Sequence, residues 1–126
     1  MRLLATIRAL TGLGDAAGGT DHWWGQRISG VMLVFLGLWF VGSMVLLPSM
    51  EYDVVVEFVS VTANGVLLSL LCLVTAFHSH LGVQVVIEDY VHADGLHIFS
   101  IAASRLAHVV AAIVAVYAIV QIGTGA

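Results

Sequence analysis

The sequence predicts an all-α integral membrane protein, one domain of 126 residues with three transmembrane helices. Hydrophobic residues make up 60% of the chain and charged residues 10%, against roughly 25% charged in ordinary globular proteins. So few charges do not cover the surface of a soluble domain, whereas apolar stretches of about 20 residues suit a bilayer. The net charge of −4 includes four arginines and no lysine. Nucleic-acid binding is therefore disfavoured, because phosphate contacts need clustered basic residues.

The first predicted span covers about residues 28–48 and ends at Pro48, a residue that stops helices. Residues 1–27 precede it as a segment that is polar and glycine-rich in its second half. We expect an amphipathic segment on the cytoplasmic surface there, rather than a cleaved signal peptide. Trp23 and Trp24 lie near its end, where an interfacial aromatic belt is expected.

The second and third predicted spans cover about residues 58–87 and 98–122. The second contains no Asp, Glu, Lys or Arg and is long enough to cross with tilt or to extend past the lipid. The third is interrupted only by Arg105 near its start. Between them, Asp94 and Gly95 form a turn signal.

Arginine placement predicts the orientation of the chain. Arg2, Arg8 and Arg27 precede the first span, and Arg105 follows the connection between the second and third spans. The connection at 49–57 is acidic and, like the C-terminal tail, has no basic residue. Because positive residues stay on the cytoplasmic side, the N-terminus is expected in the cytoplasm and the C-terminus in the periplasm.

Polar residues at membrane depth are costly, so each one suggests a function. His78, Gly82 and Asp89 are spaced i, i+4 and i+11, which places them on one stripe of a helix. His80 lies about 200° away around the same helix, and neither His80 nor His108 acquires a role from the spacing.

His78 has two interpretations from the residues alone. Its imidazole could ligate haem iron, with Gly82 one turn further on leaving room for a flat ring. Alternatively, it could form a hydrogen bond with a neighbouring helix. The sequence offers no evident second axial ligand on a facing span, so a six-coordinate haem would need another polypeptide chain.

Four further residues complete the candidate site. Arg27 is either a snorkelling anchor or the partner of a carboxylate such as a haem propionate. Ser29 is either a packing serine or an additional hydroxyl at that site. Tyr90 is either an interfacial belt tyrosine or a hydrogen-bond donor to a quinone carbonyl, and Asp89 beside it could tune or relay protons.

Two motifs together resemble a known family. The stretches HWWGQRISG and HSHLGVQVVIEDYVH are similar to those of the hydrophobic membrane-anchor subunit of succinate dehydrogenase, respiratory complex II, of the bacterial type. A histidine followed by glycine four residues later, then by Asp-Tyr at eleven and twelve, matches His78, Gly82, Asp89 and Tyr90. The resemblance extends over the whole chain, including its length, three spans and orientation.

This resemblance implies the following roles. The chain would be half of a heterodimeric haem-binding helix bundle in the inner membrane, paired with a second three-helix anchor. Together the two anchors would hold the iron–sulfur and flavoprotein subunits. His78 would be one axial ligand of the b-type haem shared with the second anchor, and Arg27 would lie near the propionates. Tyr90 would bind ubiquinone, with Asp89 as the acidic neighbour. Electrons from succinate would reach ubiquinone through the iron–sulfur protein.

The sequence leaves two rival functions open. A fumarate reductase anchor has the same architecture and runs the reaction in reverse. A haem-free membrane anchor or interaction protein would have its histidines satisfied by hydrogen bonds. A higher oligomer of the complex is also left open.

Overall fold

The computed structural model describes residues 18–125, and the regular elements in that range are four helices. They are α1 (Gly18–Leu46), α2 (Tyr52–Ser60), α3 (Thr62–Tyr90) and α4 (Asp94–Thr124). Helices α1, α3 and α4 are long and apolar enough to cross a membrane. The predicted all-α class with three spanning helices is therefore confirmed, while residues 1–17, including Arg2 and Arg8, lie outside the described range.

The second span differs from its prediction at the start. The sequence assigned residues 58–87 to one helix, but the chain is extended at Val61, with φ −66° and ψ 120°. The Asn64 side chain donates to the Phe58 carbonyl at 2.9 Å, which satisfies a backbone acceptor at the end of α2. A Cβ on Gly65 would lie 3.3 Å from the Val59 carbonyl oxygen, so the tight turn favours glycine.

The acidic connection contains a short amphipathic helix that the sequence-based prediction treated as a linker. In α2, Asp53 and Glu57 are not buried in the fold, whereas Val59 is buried. Phe58 stacks on Trp39 of α1, with ring centroids 6.2 Å apart. A helix with one apolar and one acidic face suits the boundary between bilayer and water.

The other helix ends extend beyond the predicted spans. Helix α1 begins ten residues before Ile28, so the HWWGQR stretch is helical. Helix α3 continues to Tyr90, and Asp94 and Gly95 form the first turn of α4 rather than a separate turn. Asp94 suits this position because a carboxylate near a helix N-terminus interacts favourably with the helix dipole.

Helix α3 lies in the middle of the fold, with α1 packed on one side and α4 on the other. Among residues 18–125, α1 and α4 do not pack against each other. Few side chains are buried by this single layer, and large apolar residues are exposed along all three long helices. Both faces of the layer are thus free to meet lipid or another apolar helix.

The apolar parts of the three helices are in register. Helices α1, α3 and α4 have one set of ends together, at Leu46, Thr62 and Thr124. Counting the roughly 20 residues needed to cross hydrocarbon from those ends reaches Arg27, Leu81 and Arg105 respectively. Both arginines in the described range therefore lie at one boundary of the apolar slab, which we call the arginine boundary.

Candidate functional site

His78 contacts α1, on the side of α3 opposite α4. Its Nδ1 lies 2.8 Å from the Ser29 hydroxyl. Ser29 is 3% exposed, and its hydroxyl donates to the Gly25 carbonyl at 2.7 Å. Because the hydroxyl proton is engaged there, the serine oxygen accepts from His78, which therefore has its proton on Nδ1.

The other nitrogen of His78 contacts a residue for which the sequence gave no role. Gln26 Nε2 lies 3.3 Å from His78 Nε2 and donates to its lone pair across this long distance. Gln26 Oε1 is buried and has no hydrogen-bond partner within the part of the chain that the structure describes. Gln26 is thus held by one long bond at this end, and the lone pair on His78 Nε2 has the chemistry of a metal ligand.

Glycines allow α1 and α3 to approach around this pair. A Cβ on Gly30 would lie 3.4 Å from His78 Cε1, and one on Gly25 would lie 3.3 Å from Leu81 Cδ1. On α3, the space beside Gly82 faces the Gln26 amide, 3.8 Å from the position of a Cβ. Small residues at such crossings bring helix backbones together in membranes.

Arg27 does not contact His78, although both lie near the arginine boundary. Its guanidinium lies over the Trp23 ring, 4.3 Å from the centroid, in a cation–π contact. Trp23 in turn meets Trp24 edge to face, with centroids 5.0 Å apart. The arginine is exposed and its aromatic neighbours are interfacial residues, so its guanidinium is accessible to an anion at the membrane surface.

Asp89 and Tyr90 occupy the last turn of α3, away from the His78 pair. Asp89 lies eleven residues from His78, about 16 Å along the axis. Tyr90 is 80% exposed, and Asp89 is exposed beside it. Nine residues separate Tyr90 from Leu81, so the tyrosine projects about 13 Å past the arginine boundary. The headgroup layer is only about 5–8 Å thick on each side, and both residues therefore extend beyond it.

The candidate residues thus form two groups. His78, Ser29 and Gly82 come together between α1 and α3, with Gln26 added by the structure. Gln26 could have been found from sequence, since it lies three residues before Ser29 and therefore on the same helix face. Asp89 and Tyr90 form the second group, and Arg27 belongs to neither by contact.

A second polar group was missed on the other side of α3. His80 faces α4, where its ring lies 5.6 Å from that of His108 between centroids. This position agrees with its predicted offset of about 200° from His78. Nothing in the sequence indicated that His108 and Arg105 would lie beside it.

No group of three or more His, Cys, Asp or Glu side chains is placed to hold a metal ion among residues 18–125. Residues 18–125 therefore provide no set of ligands for a metal ion bound by this chain alone. Haem iron is a different case, because the macrocycle supplies four nitrogens and one histidine is enough for one axial position.

Comparisons with a family model and with individual proteins agree on one family. A family described as succinate dehydrogenase/fumarate reductase transmembrane subunit matches residues 6–120. The chain is 30% identical over 107 residues to a succinate dehydrogenase hydrophobic membrane anchor subunit of Rickettsia bellii (strain RML369-C), covering 82% of this chain and 86% of that protein. The same name is given to a protein of Rickettsia prowazekii (strain Madrid E), 31% identical over 78 residues and 62% of each chain. No solved structure matches the chain.

Proposed function

The chain belongs to the succinate dehydrogenase/fumarate reductase transmembrane subunit family, and we propose that it binds one side of a b-type haem and helps form a quinone-reduction site. Its role as a multi-pass membrane anchor subunit of succinate dehydrogenase is the broader conclusion, supported by the named relatives and the three apolar helices. The finer proposal is supported by one observation: Ser29 contacts Nδ1 of His78, so Nε2 is the nitrogen that would ligate iron.

The residues around His78 fit a haem. Metal-ligating histidines usually donate their other ring N–H to an oxygen, which fixes the tautomer and ring orientation. Ser29 is such an oxygen, at 2.8 Å and buried. Gln26, which makes one long bond and whose oxygen has no partner in the described part of the chain, is the group that would move away from Nε2. Gly30 lets α1 lie against the His78 ring, and Gly82 places no side chain beside the Gln26 amide that would move. A bound haem would supply a one-electron carrier at this depth.

Ser29→Ala tests the positioning of His78. Loss of the hydrogen bond to Nδ1 is expected to weaken haem retention about 10- to 100-fold, the usual effect of removing such a partner. The measurement is the rate of haem transfer from the purified complex to apomyoglobin, together with the midpoint potential. Ser43→Ala, on the same helix but away from His78, is the matched control. Unchanged transfer and potential in Ser29→Ala would show that Ser29 does not position the ligand.

Arg27 is proposed to bind a haem propionate. It lies at the arginine boundary, about one helix turn from the level of His78, and stacking on Trp23 holds its guanidinium at the membrane surface. Carboxylates and guanidinium groups form charge-assisted hydrogen bonds, which are about twice as strong as neutral ones. Pairing of Arg27 with a propionate would also lower the free-energy cost of a charged side chain beside the hydrocarbon.

Tyr90 and Asp89 are proposed to form part of the quinone site. Both project past the headgroup layer, so a soluble protein partner on that surface would cover them and exclude water. The Tyr90 hydroxyl would donate to a ubiquinone carbonyl. Two protons must reach the quinone, and Asp89 would take part in that transfer.

The proposed partners follow from what the single layer of helices leaves exposed. A second three-helix anchor would cover one apolar face and supply the second axial histidine. The iron–sulfur and flavoprotein subunits would dock on the cytoplasmic side. The arginine boundary is expected on that side because positive residues stay cytoplasmic. Electrons from succinate would then reach ubiquinone through the iron–sulfur protein at the inner membrane of a bacterium. The named relatives are succinate dehydrogenase subunits, which favours this direction over fumarate reduction.

Purification of the intact complex tests the proposal as a whole. A tag on the C-terminus of this chain should co-purify three other subunits from detergent-solubilised membranes, identified by mass spectrometry. The reduced-minus-oxidised spectrum should show b-type haem, and the complex should reduce ubiquinone with succinate. The hydrogen bonds to both nitrogens of His78 also suit a haem-free anchor, for which the same complex would assemble without any haem spectrum.

A further inference from the structure

A small groove lies between α3 and α4, on the side of α3 away from His78. Its volume is about 180 Å³, enough for roughly six water molecules at about 30 Å³ each. Polar residues line one end, namely His80, Arg105 and His108. Apolar residues line the other end, including Leu73 on α3 and Ala112 on α4.

The two ends of the groove lie at different depths in the apolar slab. Helices α3 and α4 run antiparallel, so His80 and Arg105 lie together at the arginine boundary. Leu73 and Ala112 lie seven residues deeper on their own helices, about 10 Å along the axis. The groove is therefore cationic where lipid headgroups begin and apolar where acyl chains begin.

The two histidines at the polar end differ in the hydrogen bonds that they make with other described residues. His108 is satisfied, because its Nδ1 donates to the Ser104 carbonyl at 2.7 Å and its Nε2 accepts from Ser79 at 3.1 Å. His80 Nδ1, in contrast, is buried with no hydrogen-bond partner among residues 18–125. Buried polar groups in native structures are nearly always paired, so a ligand oxygen beside His80 would complete the site.

The charge of the groove favours an anionic ligand. Within the described range 18–125, the residues lining the groove include no acidic one, and Arg105 brings a permanent positive charge. Guanidinium groups bind phosphate through paired hydrogen bonds. Basic pockets between transmembrane helices are sites for anionic lipid headgroups.

We propose that this groove binds an anionic phospholipid, with its phosphate held by Arg105 and His80 and the start of one acyl chain between α3 and α4. His108 packs against His80 and positions it. The volume accommodates a phosphate and a few carbons, and the rest of the lipid lies along the exposed surface of the helices. This proposal requires that the chain lies in a membrane, and it does not depend on haem or quinone binding.

The test measures lipid that stays with the purified complex. Wild-type complex is delipidated, reconstituted with phosphatidylglycerol or phosphatidylcholine, purified again and analysed for retained lipid by native mass spectrometry. We expect retention of phosphatidylglycerol but not phosphatidylcholine. Arg105→Gln should lower retention about 10- to 100-fold, as expected from the loss of hydrogen bonds to a charged group. Arg105→Lys, which keeps the charge, should retain an intermediate amount.

Histidine variants and competition experiments complete the test. His80→Gln should reduce retention, whereas His92→Gln, an exposed histidine of the α3–α4 connection, should not. Equal retention in wild type and Arg105→Gln would overturn the proposal, as would equal retention of the two lipids. Displacement of the lipid by inorganic phosphate alone would indicate a small-anion site and also overturn it. The haem spectrum should be the same in all variants; its loss in Arg105→Gln would assign the arginine to the haem instead.

Discussion

His78→Ala is expected to remove the b-type haem spectrum from the purified complex. Loss of a partner that merely orients a metal ligand costs about 10- to 100-fold in affinity, so loss of the ligand itself should lower haem content at least about tenfold. The measurement is haem per complex, from the reduced-minus-oxidised spectrum and a pyridine haemochrome assay. Exogenous imidazole should restore part of the spectrum by occupying the space left by the side chain, which separates ligand loss from misfolding.

The chain contains a close control for this experiment. His80 is two residues away on the same helix, is also half-buried, and faces α4 instead of α1. His80→Ala should therefore keep the haem spectrum that His78→Ala loses. If the His78→Ala complex contains haem with an unchanged spectrum, His78 is not the axial ligand, and its hydrogen bonds to Ser29 and Gln26 are its whole role.

The three long helices and the face of His78 were predictable because they depend on local periodicity. Runs of about 20 apolar residues define spans, and a rotation of about 100° per residue places His78 and His80 on opposite sides of one helix. The break at Val61 was not predictable in the same way. Ser60, Thr62 and Asn64 make this stretch more polar than its surroundings, but no proline or charge marks a break. The break is stabilised by Asn64 and by the close approach at Gly65.

The contacts between helices could not be predicted from this sequence alone. Periodicity gives the face that Ser29 or His80 presents but not the height at which two helices meet. The contact of Gln26 with His78 and that of His80 with His108 both depend on this height. Once the helix ends are known, Arg27 and Arg105 fall at one level, and the polar groups near that level become interpretable.

Tyr90→Phe is expected to slow ubiquinone reduction while leaving the rest of the enzyme intact. Removal of the hydroxyl eliminates one hydrogen bond to the quinone, which is worth about 0.5–1.5 kcal/mol and corresponds to a decrease of about 2- to 12-fold in kcat/KM for quinone. Succinate oxidation with an artificial acceptor should be unchanged, because electrons then leave before the membrane site. Haem content should also be unchanged, since Tyr90 lies far along α3 from His78.

Tyr52→Phe is the matched control because it alters the same atom at the opposite end of the bundle. Tyr52 is 79% exposed and Tyr90 is 80% exposed, so each substitution removes a hydroxyl of similar accessibility in the free chain. Only the Tyr90 end projects past the arginine boundary, where the soluble subunits are proposed to dock. Slower quinone reduction in Tyr90→Phe alone would support the site. Equal rates in both variants and wild type would mean that the quinone does not bind the Tyr90 hydroxyl, and a decrease in both would indicate a general effect on the anchor.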